Sequence, residues 1–189
     1  MVSDLSLAVL LVIDMQEAFD HPRWGQRNNH DAETNVANLL AEWRRTKRPV
    51  IHIHHVNPKP ESLFNGKGVK VKPEAVPVEG EPVLTKNVNS AFIGTDLEER
   101  LKLMNAKQLV VTGLSTDHCI STTARMAGNL GFDTFVVSDA TATFERKGLS
   151  GQHYTAEEMH DTALMSLEGE FATIVSTKEL IKASAALVR

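Results

Sequence analysis

The chain has 189 residues, 42% of them hydrophobic, enough for one compact domain whose core needs no covalent staple. Its 20 basic and 24 acidic residues give a formal charge of -4 without a long basic run, which argues against general nucleic-acid or membrane binding and leaves small molecules as partners. One cysteine excludes an intramolecular disulfide and suits a reducing cytoplasm, and no apolar run approaches the roughly 20 residues that cross a bilayer.

In chain order, the apolar segment Leu5 to Ile13 follows Asp4, lacks a basic leader and runs straight into Asp14, so it reads as holding a first core strand, Leu7 to Ile13, rather than a signal peptide. Asp31 to Lys47 places Val36, Leu39, Leu40 and Trp43 on one stripe, which predicts an amphipathic helix. Val50 to Val56 reads as the second strand. Asn57 to Glu81, with Pro58, Pro60, Pro73, Pro77, Gly66, Gly68 and Gly80, reads as a long loop of the kind that carries specificity. A short third strand, Pro82 to Thr85, follows. Thr95-Asp96-Leu97-Glu98 fits a capping box and predicts a helix continuing through Leu101 and Met104.

The fourth strand is Gln108 to Thr112, and a helix after Cys119 should end at Gly131. Thr134 to Ser138 is the fifth strand, Thr143 to Tyr154 a second loop, and Thr155-Ala156-Glu157-Glu158 a second capping box. A sixth strand, Ala172 to Ser176, and a terminal helix from Thr177 to about Val188 complete the chain. Strands alternating with helices predict the α/β class: a three-layer α/β/α arrangement around a six-stranded, mostly parallel, Rossmann-like sheet.

In such a sheet, ligands bind beyond the carboxyl ends of the strands, so polar residues there carry the most information. Asp14 ends the first strand, Lys86 the third, and Cys119 follows the fourth. Together they offer a carboxylate, an ammonium and a thiol to one rim, the set an activated nucleophile needs. A thiol in the first turn of a helix, beside an ammonium, is expected to shift toward thiolate.

The chain resembles the isochorismatase-like cysteine hydrolases, which include nicotinamidases and N-carbamoylsarcosine amidases. The likeness rests on Val12-Ile13-Asp14-Met15-Gln16 with Phe19, Lys86 with Ser90-Ala91-Phe92 and Thr95, Thr112 through Cys119, and Thr122-Thr123-Ala124-Arg125. It implies an Asp14-Lys86-Cys119 triad that hydrolyses a small amide with water, a homodimer or homotetramer, an oxyanion hole made by the amides of Ser115 and Cys119, and a cis peptide joining Leu114 to Ser115. Asp14 would be the general base, Lys86 the triad lysine and Cys119 the nucleophile.

Other side chains are placed by simpler arguments. His118 neighbours Cys119, but adjacent helical residues point in different directions, so it suits the pocket wall better than a Cys-His dyad. His52 and His54 share one strand face and His55 the other, so the three do not converge on a metal without a bend. The Asp-x-His pattern of the metal-binding relatives is missing here, and no cofactor is expected, with a divalent metal disfavoured. His54 and His55 are expected to line the site, with Phe19, Trp24 and Phe92 as walls and Leu63 and Phe64 as a lid. Two other readings stay open: hydrolysis of a vinyl ether, which needs acid catalysis but no thiol, and a binding protein without turnover.

Overall fold

A computed structural model describes residues 5–185. Its strands and helices are β1 Val9–Ile13, α1 Ala32–Arg45, β2 Val50–His55, β3 Val83–Lys86, α2 Leu97–Leu103, β4 Gln108–Leu114, α3 Ser121–Asn129, β5 Asp133–Ala142, β6 Arg146–Lys147, β7 His153–Tyr154, α4 Ala156–Met165, β8 Thr173–Val175 and α5 Thr177–Ala185. Six strands form one parallel sheet in the order β3-β2-β1-β4-β5-β8, and β6 and β7 make a small antiparallel hairpin apart from it.

The three layers follow from side-chain alternation along buried strands. Leu10 and Val12 of β1, with Val110 of β4, pack beneath Val36, Leu39, Leu40 and Trp43 of α1 and Leu180 of α5. Val9, Leu11 and Ile13, with Leu109 and Val111, face Leu97 and Leu101 of α2, Ala124 and Ala127 of α3, and Leu164 of α4. Both faces of the sheet are thereby covered. Among the described residues, no helix is long and apolar enough to cross a membrane.

Several boundaries differ from the sequence expectation. β1 begins at Val9, because Leu7 is 71% exposed in the turn before it. β5 runs on to Ala142: after a register shift between Val111 and Gly113 it resumes pairing as Gly113↔Thr141 and Leu114↔Ala142. The box expected at Thr95 does not close. Helix α2 starts one residue later, with Asp96 at its cap; the Thr95 hydroxyl accepts from the Leu97 amide, and Glu98 pairs with Lys102 instead. The box at Thr155 closes in both directions, with Glu158 returning to the Thr155 amide. Gly131 ends α3 with φ +85, its amide donating to Gly128 and that of Phe132 to Ala127. Of the terminal helix, the portion beyond Ala185 lies outside the described residues.

A polar cluster joins α1 to the sheet beneath it. His52 Nε2 lies 2.9 Å from Glu81 Oε2, and both Glu81 oxygens accept from Arg44 at 2.8 Å. Burial alone would raise the Glu81 carboxyl, but bonds from Arg44, the Val78 amide and His52 hold it down at about 2. This cluster straps the end of the long loop to the helix.

Candidate active site

The strand order reverses direction between β1 and β4: the chain adds β2 and β3 on one side of β1, then crosses to place β4 on the other. A crevice opens beyond the carboxyl ends of strands at such a point. Asp14 leaves β1 there, and Cys119 follows β4 there.

Two backbone features bring these ends together. Asp14 adopts φ 53, a left-handed conformation that aspartate tolerates better than most residues, and its amide still donates to Ile53 at 2.8 Å. Gly113 has φ +115 and lies opposite Ile13; a Cβ there would stand 1.9 Å from the Ile13 carbonyl oxygen. Only glycine permits that approach of β4 to β1. The chain then passes a cis Leu114–Ser115 peptide, as the resemblance implied. A π-helical turn, Thr116–Ile120, comes next, in which the Ile120 amide donates to Ser115 at 3.2 Å. Cys119 therefore lies in a π-turn preceding α3 rather than in the first turn of an α-helix, a geometry frequent at functional sites.

Lys86 completes the cluster from two strands away. Its ammonium donates to Asp14 Oδ2 at 2.6 Å and to Cys119 Sγ at 3.3 Å, and lies 3.1 Å from His55 Nδ1. Both partners of the Asp14–Lys86 pair have fully buried side chains, and Cys119 is 6% exposed. Donor atoms of Asp14, His55 and Cys119 lie within 4.8 Å of one another, a spacing suited to a cation; the Lys86 ammonium lies among them and makes a contact to each. Asp14 Oδ1 is buried with no hydrogen-bond partner, leaving one acceptor of the carboxylate unspent.

The electrostatics correct the expectation of a resting thiolate. Burial pushes the Cys119 thiol well above the usual range and the Asp14 charge pushes it further, outweighing the opposing pull of Lys86. Burial also raises Asp14, against the attraction of Lys86. The resting nucleophile is thus a neutral thiol, with the Asp14 carboxyl close by to accept its proton.

Of the expected wall residues, His55 is in the cluster and His54 is not. His54 is half-buried on the opposite strand face, its ring 6.5 Å from that of His52, and burial followed by the His52 charge lowers it to about 4. Phe19, Trp24, Phe64 and Phe144 form one aromatic group, with Phe64 4.6 Å from His55. Phe64 thus borders the site. Leu63, by contrast, lines an open surface groove of about 530 Å³ with Glu17, His21 and Lys67. Phe92 packs in the layer of α2 and α3, its ring stacked 6.1 Å from Phe132. His118 is exposed and turned toward Asp117, at 3.9 Å.

Sequence reasoning missed the residues that hold these groups in place. The Gln16 amide donates to the His55 carbonyl at 3.0 Å and to Val69 at 3.1 Å, while its oxygen accepts from the His55 amide at 2.7 Å. Asp117 accepts from Ser115 and Thr143 on one oxygen and from Arg146 on the other, tying the turn that carries Cys119 to the second loop. His160, 5% exposed, lies 2.9 Å from the Thr116 hydroxyl. Their partners are 26 to 53 residues away apart from Ser115, so no local spacing pointed to them.

A parallel sheet of the α/β class with an acid, an ammonium and a thiol gathered at its switch point has the make-up of a hydrolase. A description of the isochorismatase domain matches residues 8–179, and the chain belongs to the isochorismatase family. It is 48% identical over 174 residues to the isochorismatase family protein YrdC of Bacillus subtilis, covering 91% of this chain and 93% of that one. It is 32% identical over 189 residues to Nicotinamidase 3 of Arabidopsis thaliana, covering 92% of this chain and 87% of the other. A crystal structure of a family hydrolase from Chromobacterium violaceum superposes with a TM-score of 0.94 at 40% identity, covering 98% of this chain and 96% of that chain.

Proposed function

We propose that this isochorismatase-family hydrolase cleaves a carbon–nitrogen bond of a small amide through a thioester on Cys119, with Asp14 and Lys86 as its partners. The observation that carries this reading is the Lys86 ammonium, which touches the Asp14 carboxylate at 2.6 Å and the Cys119 sulfur at 3.3 Å in a buried setting.

The chemistry follows from the resting charges. As Cys119 sulfur bonds to the substrate carbonyl carbon, its proton passes to Asp14, so no free thiolate has to persist in the buried site. Lys86 stabilises the sulfur while negative charge builds on it. The carbonyl oxygen becomes an oxyanion facing the amides of Ser115 and Cys119, a type of contact worth about 3 kcal/mol per donor in other enzymes. Collapse breaks the C–N bond, and Asp14 returns the proton to the departing nitrogen. Water then attacks the thioester, gives one proton to Asp14, and releases the acid; Asp14 reprotonates the sulfur. The sum is amide plus water to acid plus amine.

Ammonia release from nicotinamide, carbamoyl compounds and simple amides tests the reading, with trapped thioester on Cys119 sought by mass spectrometry. Cys119→Ala should lower turnover by about 10⁴-fold or more. Full activity in that variant would remove the nucleophilic role.

Two features support vinyl ether hydrolysis as a second reading: burial raises Asp14 and Oδ1 is unpartnered, which suits a carboxylic acid that protonates substrate. That chemistry would survive Cys119→Ala and fail in Asp14→Asn.

A further inference from the structure

The ammonium of Lys86 has three N–H bonds, and the triad occupies two of them. The third contact, His55 Nδ1 at 3.1 Å, belongs to none of the roles above. His55 is buried at 8% exposure and pairs in register with Lys86 across β2 and β3. Its backbone is fixed from both sides by Gln16, which accepts from the His55 amide at 2.7 Å and donates to its carbonyl at 3.0 Å. Phe64 flanks the ring at 4.6 Å. An imidazole held this firmly has its nitrogen aimed by the fold.

We infer that His55 is a positioning residue for the Cys119 reaction, its neutral Nδ1 accepting one Lys86 N–H so that the other two stay on Asp14 and on the sulfur. The inference rests on the proposed triad. The three N–H bonds of an ammonium lie at tetrahedral angles, so fixing two of them fixes the third. Without His55, the long lysine side chain would have one anchor, Asp14, about which the remaining N–H bonds rotate, and the sulfur would lose its constant donor. The same contact sets the tautomer: a nitrogen that accepts from an ammonium carries no proton, so the ring proton resides on Nε2. Burial, then the Lys86 charge, lowers His55 to about 4, which agrees with a neutral ring.

Two measurements test this without a known substrate. In the wild-type protein, nitrogen-15 NMR of the imidazoles, assigned by comparison with His55→Asn, should show His55 protonated at Nε2 with an accepting Nδ1. A ring protonated at Nδ1, or at both nitrogens, overturns the assignment. Iodoacetamide labelling provides the second readout, and because Cys119 is the sole thiol the added mass reports it alone. His55→Leu keeps the bulk without an acceptor, whereas asparagine returns an oxygen near the place of Nδ1. Labelling should slow about tenfold in His55→Leu and come within about threefold of wild type in His55→Asn, the scale of one bond to a charged group. A leucine variant that labels at the wild-type rate, or an asparagine variant as slow as leucine, overturns it. If His55→Leu fails to fold, the wild-type spectrum and His55→Asn still decide. Absence of ammonia release from every amide would count against the proposed function while leaving both readouts intact.

Discussion

Lys86 reaches Asp14 across an intervening strand. Their strands, β3 and β1, are not neighbours, yet Nζ and Oδ2 lie 2.6 Å apart because the lysine extends over β2 past His55. Two strand spacings amount to about 10 Å, so a long side chain is needed to span them.

Removing the ammonium should therefore cost stability as well as reactivity. Lys86→Met leaves a buried carboxylate without its counter-charge, and a loss of about 3–5 kcal/mol in urea unfolding at pH 7 is expected. A loss below about 1 kcal/mol would show that Asp14 is relieved by simple protonation.

Two glycines with positive φ should respond differently to alanine. At Gly113 the new Cβ meets backbone at 1.9 Å, whereas at Gly94, with φ +73, nothing lies within 4 Å. Gly94→Ala should cost about 1–2 kcal/mol, the ordinary penalty of a left-handed residue. Gly113→Ala should cost clearly more, in the range above about 4 kcal/mol that marks an exceptional substitution, and should open the β1–β4 edge. Thermal unfolding of the pair separates the two, and equal shifts would contradict the close approach.

Glu81 should give the protein an acid-sensitive strap. Its folded-state carboxyl is held down at about 2, below the 4.5 of a free glutamate, so in that window the unfolded chain binds more protons. Stability from Glu81 is present above about 4.5 and is lost as pH falls toward 2. His52 acts in the same direction at higher pH, because burial lowers it and the unfolded chain protonates first. Unfolding free energies measured from pH 7 to 3 should fall less steeply in Glu81→Gln than in wild type. Parallel curves would show the carboxylate to be dispensable.

Asp117→Asn should loosen the second loop. The carboxylate accepts from Arg146 at 2.8 Å and from Thr143, and burial, which would raise it, is outweighed by these partners. Loss of the charged bonds should cost about 1–3 kcal/mol, and limited proteolysis near Lys147 should accelerate. Unchanged cleavage would place the hairpin's anchor elsewhere.

Much of this architecture was legible before any coordinates. Apolar runs located the six main strands, Asp14 and Lys86 stood out as polar residues ending two of them, and Cys119 as the sole cysteine, just beyond a third. Boundaries failed where a distant contact decided them. β5 extends because β4 resumes pairing beyond its bulge, and at Thr95 the box stays open with the helix starting one residue later and Glu98 paired to Lys102. The charge state of Cys119 failed for a related reason. Residue types predicted an activating lysine, but the depth of burial that outweighs it is a property of the closed layers. Gln16 and Asp117 were invisible in role because their partners arrive from separate loops.

The contributing side chains are separated by 72 and 33 positions along the polypeptide. They meet only after four adjacent strands have registered, so no fragment ending before β4 can display the reactive constellation. On the proposed chemistry, a nascent chain would stay inert until the segment through the turn after β4 had emerged and docked.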